Sequence, residues 1–123
     1  MPTPWTAVVI DDHLAVRDMT RRLIEAAGHS VLGEAATGAE GLAKVEELHP
    51  DVVVLDIVLP DLSGFEVART LKDKGSEATI VLMSSHELDD LGGSVEESGA
   101  DAFISKSDIS LKALRELETK LGS

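Results

Sequence analysis

Short apolar runs alternate along this chain with stretches of helical periodicity, and that alternation limits the fold more than any other feature. TAVVI (6–10) stops at DDH, and HLAVRDMTRRLIEAAG then places Leu14, Met19, Leu23 and Ile24 at helical spacing before Gly28. SVLGEAA is a weaker strand with Gly33 inside it. TGAEGLAKVEEL opens on Thr37 and Glu40, the S/T-x-x-E capping box. DVVVLD is the strongest strand. LSGFEVARTLKDKG repeats the capping box with Ser63 and Glu66 and places a C-cap at Gly75. TIVLMSS is a strand, ELDDLGGSVEESG a poor helix with two adjacent glycines, DAFIS a short strand, and SLKALRELETKLG a helix starting after Ser110.

Strands that are apolar on both faces belong in a parallel sheet covered by helices on either side. Five strand–helix units joined by right-handed crossovers predict an α/β fold, a doubly wound (βα)5 three-layer sandwich. Its ligand site lies at the carboxyl ends of the strands. The 123 residues suit a single domain, 1–123, without repeats or linkers. With one Trp and two Phe, its core must be aliphatic. The absence of Cys removes disulfide and zinc–thiolate sites and suits a reducing cytoplasm. No secretory signal is expected at the amino terminus, and no apolar run approaches the ~20 residues of a membrane span. The net charge of −12, from 23 acidic residues against 11 Lys and Arg, disfavours nucleic acid and anionic lipid. It suits protein partners or divalent cations.

Within VVVLDIVLPD (52–61), one carboxylate, Asp56, ends an otherwise apolar run. Burying such a charge is costly unless something pairs with it. Polar residues stand at three other strand ends as well: Asp11 and Asp12 after AVVI, Ser84 ending IVLM, and Lys106 after AFIS. One Asp at a strand end is ordinarily a turn or helix cap. Four strand ends opening on one sheet edge instead bring these side chains into one shallow pocket. Three carboxylates there repel one another, and a hard divalent cation resolves the repulsion; Mg²⁺ suits few carboxylates and several waters. Lys106 adds a point charge and Ser84 a hydroxyl. This is equipment for phosphoryl transfer, with Asp56 as nucleophile.

These residues resemble the receiver domain of bacterial two-component response regulators. The resemblance rests on DDH, LDIVLPDLSG, MSS and GADAFISK, in that order, and covers nearly the whole chain. It implies the strand order 2-1-3-4-5 and an Asp56 that accepts a phosphoryl group from the phosphohistidine of a sensor histidine kinase or phosphotransfer protein. It implies that Asp12 and Asp56 bind Mg²⁺ directly, that Asp11 acts mainly through water, and that the backbone carbonyl of Val58 is a further ligand. Ser84 and Lys106 would contact the phosphoryl group. Phe103 matches the switch aromatic, which with Ser84 would change the surface of the fourth helix, fifth strand and fifth helix. The output would be a separate protein or an attached effector domain, and a phosphorylation-dependent homodimer is one form it could take. DDH and the serines after Lys106 resemble receivers joined to helix-turn-helix DNA-binding domains. An ending at KLGS suits a stand-alone regulator, a phosphorelay shuttle or the receiver half of a longer protein.

The chain departs from the family pattern at three places. Ser107 replaces the usual Pro after Lys106, leaving trans or a strained cis peptide open there, the latter costing roughly 3 kcal/mol. Phe103 has no hydroxyl, so a switch there runs on packing alone, and ordinary core packing is an equal reading. Gly92 and Gly93 cost a helix roughly 2 kcal/mol, so the fourth helix is expected to be short or mobile before activation. Val58 and His86 flank the approach of a hydrolytic water, His13 reads as a helix-start residue, and His29 and His49 read as surface residues near helix ends. A Mg²⁺-dependent phosphatase resembling the haloacid-dehalogenase superfamily would need a second acid two residues after the nucleophile. Val58 stands there. The chain is therefore expected not to be an enzyme beyond its own phosphorylation and dephosphorylation. The remaining alternative is a phosphorylation-independent interaction module.

Overall fold

A computed structural model describes residues 4–85 and 94–121. The strands are β1 (Thr6–Ile10), β2 (Ser30–Ala35), β3 (Val52–Asp56), β4 (Thr79–Ser84) and β5 (Ala102–Ser105). Between and after them come α1 (Leu14–Ala26), α2 (Gly38–Leu48), α3 (Gly64–Asp73), α4 (Ser94–Glu97) and α5 (Leu111–Lys120). All pairs are parallel and the sheet order is β2-β1-β3-β4-β5, as the alternation and the resemblance imply.

The alternation of side chains along each strand builds two cores, one per sheet face. Val8, Ile10, Val53, Leu55, Ile80 and Leu82 pack under α2 and α3 with Val45, Val67 and Leu71. Ala7, Val9, Val54, Val81 and Met83 pack under α1 and α5 with Ile24, Leu114 and Leu117. The weak second strand has a physical cause. Ala7 pairs with Val31 but Val8 with Gly33, so Leu32 is an extra residue in a bulge and lies 43% exposed.

The helix signals act as expected. Thr37 Oγ1 accepts from the Glu40 amide and Ser63 Oγ from the Glu66 amide, and Ser110 caps α5 through the Ala113 amide. Gly28 and Gly75 take φ of +95° and +80° just beyond α1 and α3. Of the expected weak fourth helix, one turn is described. His86, Gly92 and Gly93 lie outside the described residues. Among the described residues there is no cis peptide, so Lys106–Ser107 is trans.

Candidate functional site at the carboxyl edge of the sheet

The register sets the site. Ile10 is level with Leu55, which puts Asp11 beside Asp56, and Ser84 is level with Ser105, which puts Lys106 one step beyond. The Lys106 amide donates to the Ser84 carbonyl at 2.8 Å, tying the last two strand ends together. From there the long side chain reaches back across the edge. Its Nζ lies 3.0 Å from Asp56 Oδ2 and 3.1 Å from Asp11 Oδ2.

Asp11 and Asp56 are buried, at 0% and 3% exposure, and Ser84 is buried at 1%. Burial pushes the Asp56 carboxyl above its ordinary range; the Lys106 hydrogen bond opposes that rise and the nearby Asp11 charge adds to it. For Lys106, burial alone would lower the pKa, but the hydrogen bond to Asp56 and the pairing with the Asp11 carboxylate outweigh it and the ammonium is held above its ordinary value. One partly buried cation therefore faces two buried carboxylates, with Asp12 exposed beside them.

The turn after β1 is held from both sides. Asp11 Oδ1 accepts from the His13 amide at 2.9 Å. Arg17 donates to the Asp11 carbonyl at 2.7 Å and to Glu34 at 3.2 Å. Among the described residues Asp11 Oδ2 accepts no hydrogen bond and is met only by the Lys106 ammonium, an ion pair at 3.1 Å. A fully buried carboxylate oxygen that shares one ammonium with a second carboxylate carries a cost that a further cation would reduce. One ligand atom from each of Asp11, Asp12, His13 and Asp56 lies within 4.8 Å of all the others. The site can hold a metal ion.

The loop after β3 is shaped around Asp56. Val58, 59% exposed, donates its amide to Asp56 Oδ1 at 3.3 Å and bridges to Ser63. Gly64 starts α3 so close beneath this loop that a Cβ would stand 2.4 Å from the Asp56 carbonyl oxygen. Only glycine permits that approach. Phe103 is half-buried and packs against the core beneath α2 and α3.

Four features lay outside the sequence reading. Asp61 accepts from the Gly38 and Ala39 amides at 2.7 and 3.0 Å, so the loop after β3 caps α2; these bonds hold its carboxyl below the usual range. Arg17 and its Glu34 partner were also missed. His29 is not a surface residue: it is 8% exposed, stacked on Trp5 and paired with Glu118. Its burial comes from partners far off in the chain, which no local pattern reveals. Finally, a cavity of about 790 Å³ opens at the opposite, amino end of the strands, bounded by Trp5, Leu42, His49 and Leu71, remote from the acidic edge.

The family profile described as "Response regulator receiver domain" matches residues 7–117. Among curated proteins, the nitrate/nitrite response regulator protein NarL of Escherichia coli strain K12 is 35% identical over 106 residues, 84% of this chain and 48% of that protein. The transcriptional regulatory protein YdfI of Bacillus subtilis strain 168 is 31% identical over 100 residues, 80% of this chain and 46% of YdfI. The chain thus spans about half the length of the curated relatives it matches. A LuxR-family two-component response regulator from Aurantimonas sp. SI85-9A1 superposes with a TM-score of 0.88 at 30% identity, covering 98% of this chain and 86% of that one.

Proposed function

From the premise that this chain belongs to the response regulator receiver family, we propose that it is a phosphoacceptor switch of two-component signalling. Asp56 is the acceptor. Its carboxylate oxygen attacks phosphorus in the phosphohistidine of a sensor histidine kinase or phosphotransfer protein, the P–N bond breaks, and the imidazole leaves with the bond's electron pair. A divalent cation such as Mg²⁺, when bound at this edge, would supply positive charge to the phosphoryl oxygens.

The chain's own residues divide the remaining tasks. Asp12, Asp56 and the Val58 carbonyl would hold the cation, with Asp11 helping mainly through water, while Lys106 pairs with the phosphoryl oxygens once they take the place of the Asp56 charge. Ser84 hydrogen-bonds the same group. Because the Lys106 amide is bonded to the Ser84 carbonyl at the ends of β4 and β5, and Phe103 lies two residues before Ser105 on β5, a change at the phosphoryl group is transmitted to the α4–β5–α5 surface. The observation that carries this reading is the single ammonium at 3.0 and 3.1 Å from two buried carboxylates at the carboxyl edge of the sheet. Val58 in the position of a leaving-group acid disfavours a phosphatase.

The names of the relatives point to transcriptional regulators. We accordingly assign the output to an effector domain or partner, either in this chain's parent protein or separate from it, with a phosphorylation-dependent homodimer as one route. The net charge of −12 leaves nucleic-acid contacts to that effector. Among the described residues no helix is long and apolar enough to cross a membrane, and a cytoplasmic site of action fits a kinase partner. Intact mass after incubation with Mg²⁺ and a small-molecule phosphodonor tests the proposal. One added phosphoryl group, lost in Asp56→Asn and without Mg²⁺, is expected. An Asp56→Asn variant that gains the same mass places the acceptor elsewhere. No gain from either a small donor or a phosphorylated kinase supports the phosphorylation-independent module instead.

A further inference from the structure

His13 has no task in the mechanism above, yet its ring is turned into the acidic edge. It occupies the N-cap position of α1 with φ −88° and ψ 108°, but its side chain makes no capping hydrogen bond. The side chain is 63% exposed. Neither capping nor core packing therefore accounts for an imidazole here. Its Nδ1 stands 3.3 Å from Asp11 Oδ1 and 3.2 Å from Asp12 Oδ1. Ligands that are neighbours around a six-coordinate ion with bonds of roughly 2.1 Å are roughly 3 Å apart, and opposite ones roughly 4.2 Å. The Asp11, Asp12, His13 and Asp56 donors lie within 4.8 Å of one another, somewhat wider than one such shell, while His13 Nδ1 and Asp12 Oδ1 at 3.2 Å have the spacing of neighbouring ligands. Independently, the buried Asp11 Oδ2 accepts no hydrogen bond among the described residues and shares the Lys106 ammonium with Asp56.

Resting on the reading of this edge as a divalent-cation site, we propose that His13 is a ligand within it through Nδ1. Its presence biases the site toward imidazole-binding divalent transition ions relative to Mg²⁺. Mg²⁺ keeps oxygen ligands and waters, whereas a neutral imidazole nitrogen suits later first-row ions. In the Nε2–H tautomer the Nδ1 lone pair is available to displace one water from the shell.

Titration calorimetry with Co²⁺ and, separately, Mg²⁺ tests this on the whole chain, in wild type, His13→Ala and Asp12→Asn. The ratio of Co²⁺ to Mg²⁺ affinity is expected to fall at least about tenfold in His13→Ala. Asp12→Asn is expected to weaken both ions. The visible absorption of bound Co²⁺ should shift in His13→Ala, and the wild type should show a hyperfine-shifted imidazole N–H resonance that the variant lacks. An unchanged affinity ratio with an unchanged Co²⁺ spectrum overturns the proposal and leaves His13 as a neighbouring counter-charge. Wild type that binds Mg²⁺ with no preference for Co²⁺ overturns it while sparing the cation site. Wild type that binds neither ion overturns both.

Discussion

Two buried ionic clusters sit at opposite ends of this sheet and meet the cost of buried charge in opposite ways. At the amino end, His29 Nδ1 accepts the Trp5 amide at 2.8 Å, which leaves Nε2 to carry the proton and donate to Glu118 at 2.7 Å. Arg115 donates to both Glu118 oxygens, at 3.2 and 3.3 Å, and to the Ala27 carbonyl at 3.1 Å. Trp5 closes the cluster by stacking on the imidazole at 4.6 Å. At the carboxyl end, one Lys106 serves two buried carboxylates, a third lies beside them, and Asp11 Oδ2 accepts no hydrogen bond among the described residues. The first cluster is complete without any ligand and reads as structure. The second is short of positive charge, and that shortage is what a cation and a phosphoryl group can exploit.

Substitutions can break or sharpen this contrast. The largest effect is expected from Gly64→Ala, whose Cβ would press on the backbone of Asp56 and Ile57, at 2.4 and 2.7 Å. Neither can yield, so α3 must shift; a loss of about 3 kcal/mol by chemical denaturation, together with slower phosphorylation, is the expected result. A neutral outcome would mean that the loop under Asp56 is not rigid. Next comes His29→Ala, which makes the complete cluster incomplete by removing the imidazole that Glu118 pairs with. A loss of about 2 kcal/mol is expected, with phosphoryl uptake at Asp56 preserved. Loss of uptake without loss of stability would contradict the division between the two ends.

The smallest effect belongs to Asp61→Ala, which removes the cap shared by Gly38 and Ala39. Its pH dependence is the informative part. A carboxyl held below its ordinary range stabilises the fold above that range, and the benefit disappears as pH falls through its lowered native value. Thermal melts of variant and wild type should therefore differ at neutral pH and converge in acid. Asp56 behaves with the opposite sign. Its pKa is raised in the fold, so the native state binds more protons than the unfolded chain between the ordinary and raised values, and stability falls as pH rises through that window.

Most of the fold was readable because its signals are local. The run VVVLD is apolar on both faces and became the central strand, and Thr37, Ser63 and Ser110 cap the helices that follow them. The positions of Asp11, Asp56, Ser84 and Lys106 were readable too, since all strands of a parallel sheet point one way and their ends share an edge. What could not be read depends on contacts between distant residues. Asp61 caps a helix 22 and 23 residues away, and His29 meets Glu118 across 89 residues. A histidine after a helix looks solvent-exposed until Trp5 and α5 close over it. Gly64 could be read as a helix-start residue, but not its close approach to the backbone of Asp56.

The most direct test of the charge imbalance is thermal melting of wild type and Asp56→Asn at neutral pH, with and without Mg²⁺. Without the cation, removing a buried charge that the fold disfavours should stabilise the variant by on the order of 1 kcal/mol. With Mg²⁺ at a hundred times its dissociation constant, wild type should gain about 2.7 kcal/mol and the variant much less, reversing their order. A variant less stable than wild type without the cation, with both indifferent to Mg²⁺, would show that Lys106 already satisfies the carboxyl edge and that the account is wrong.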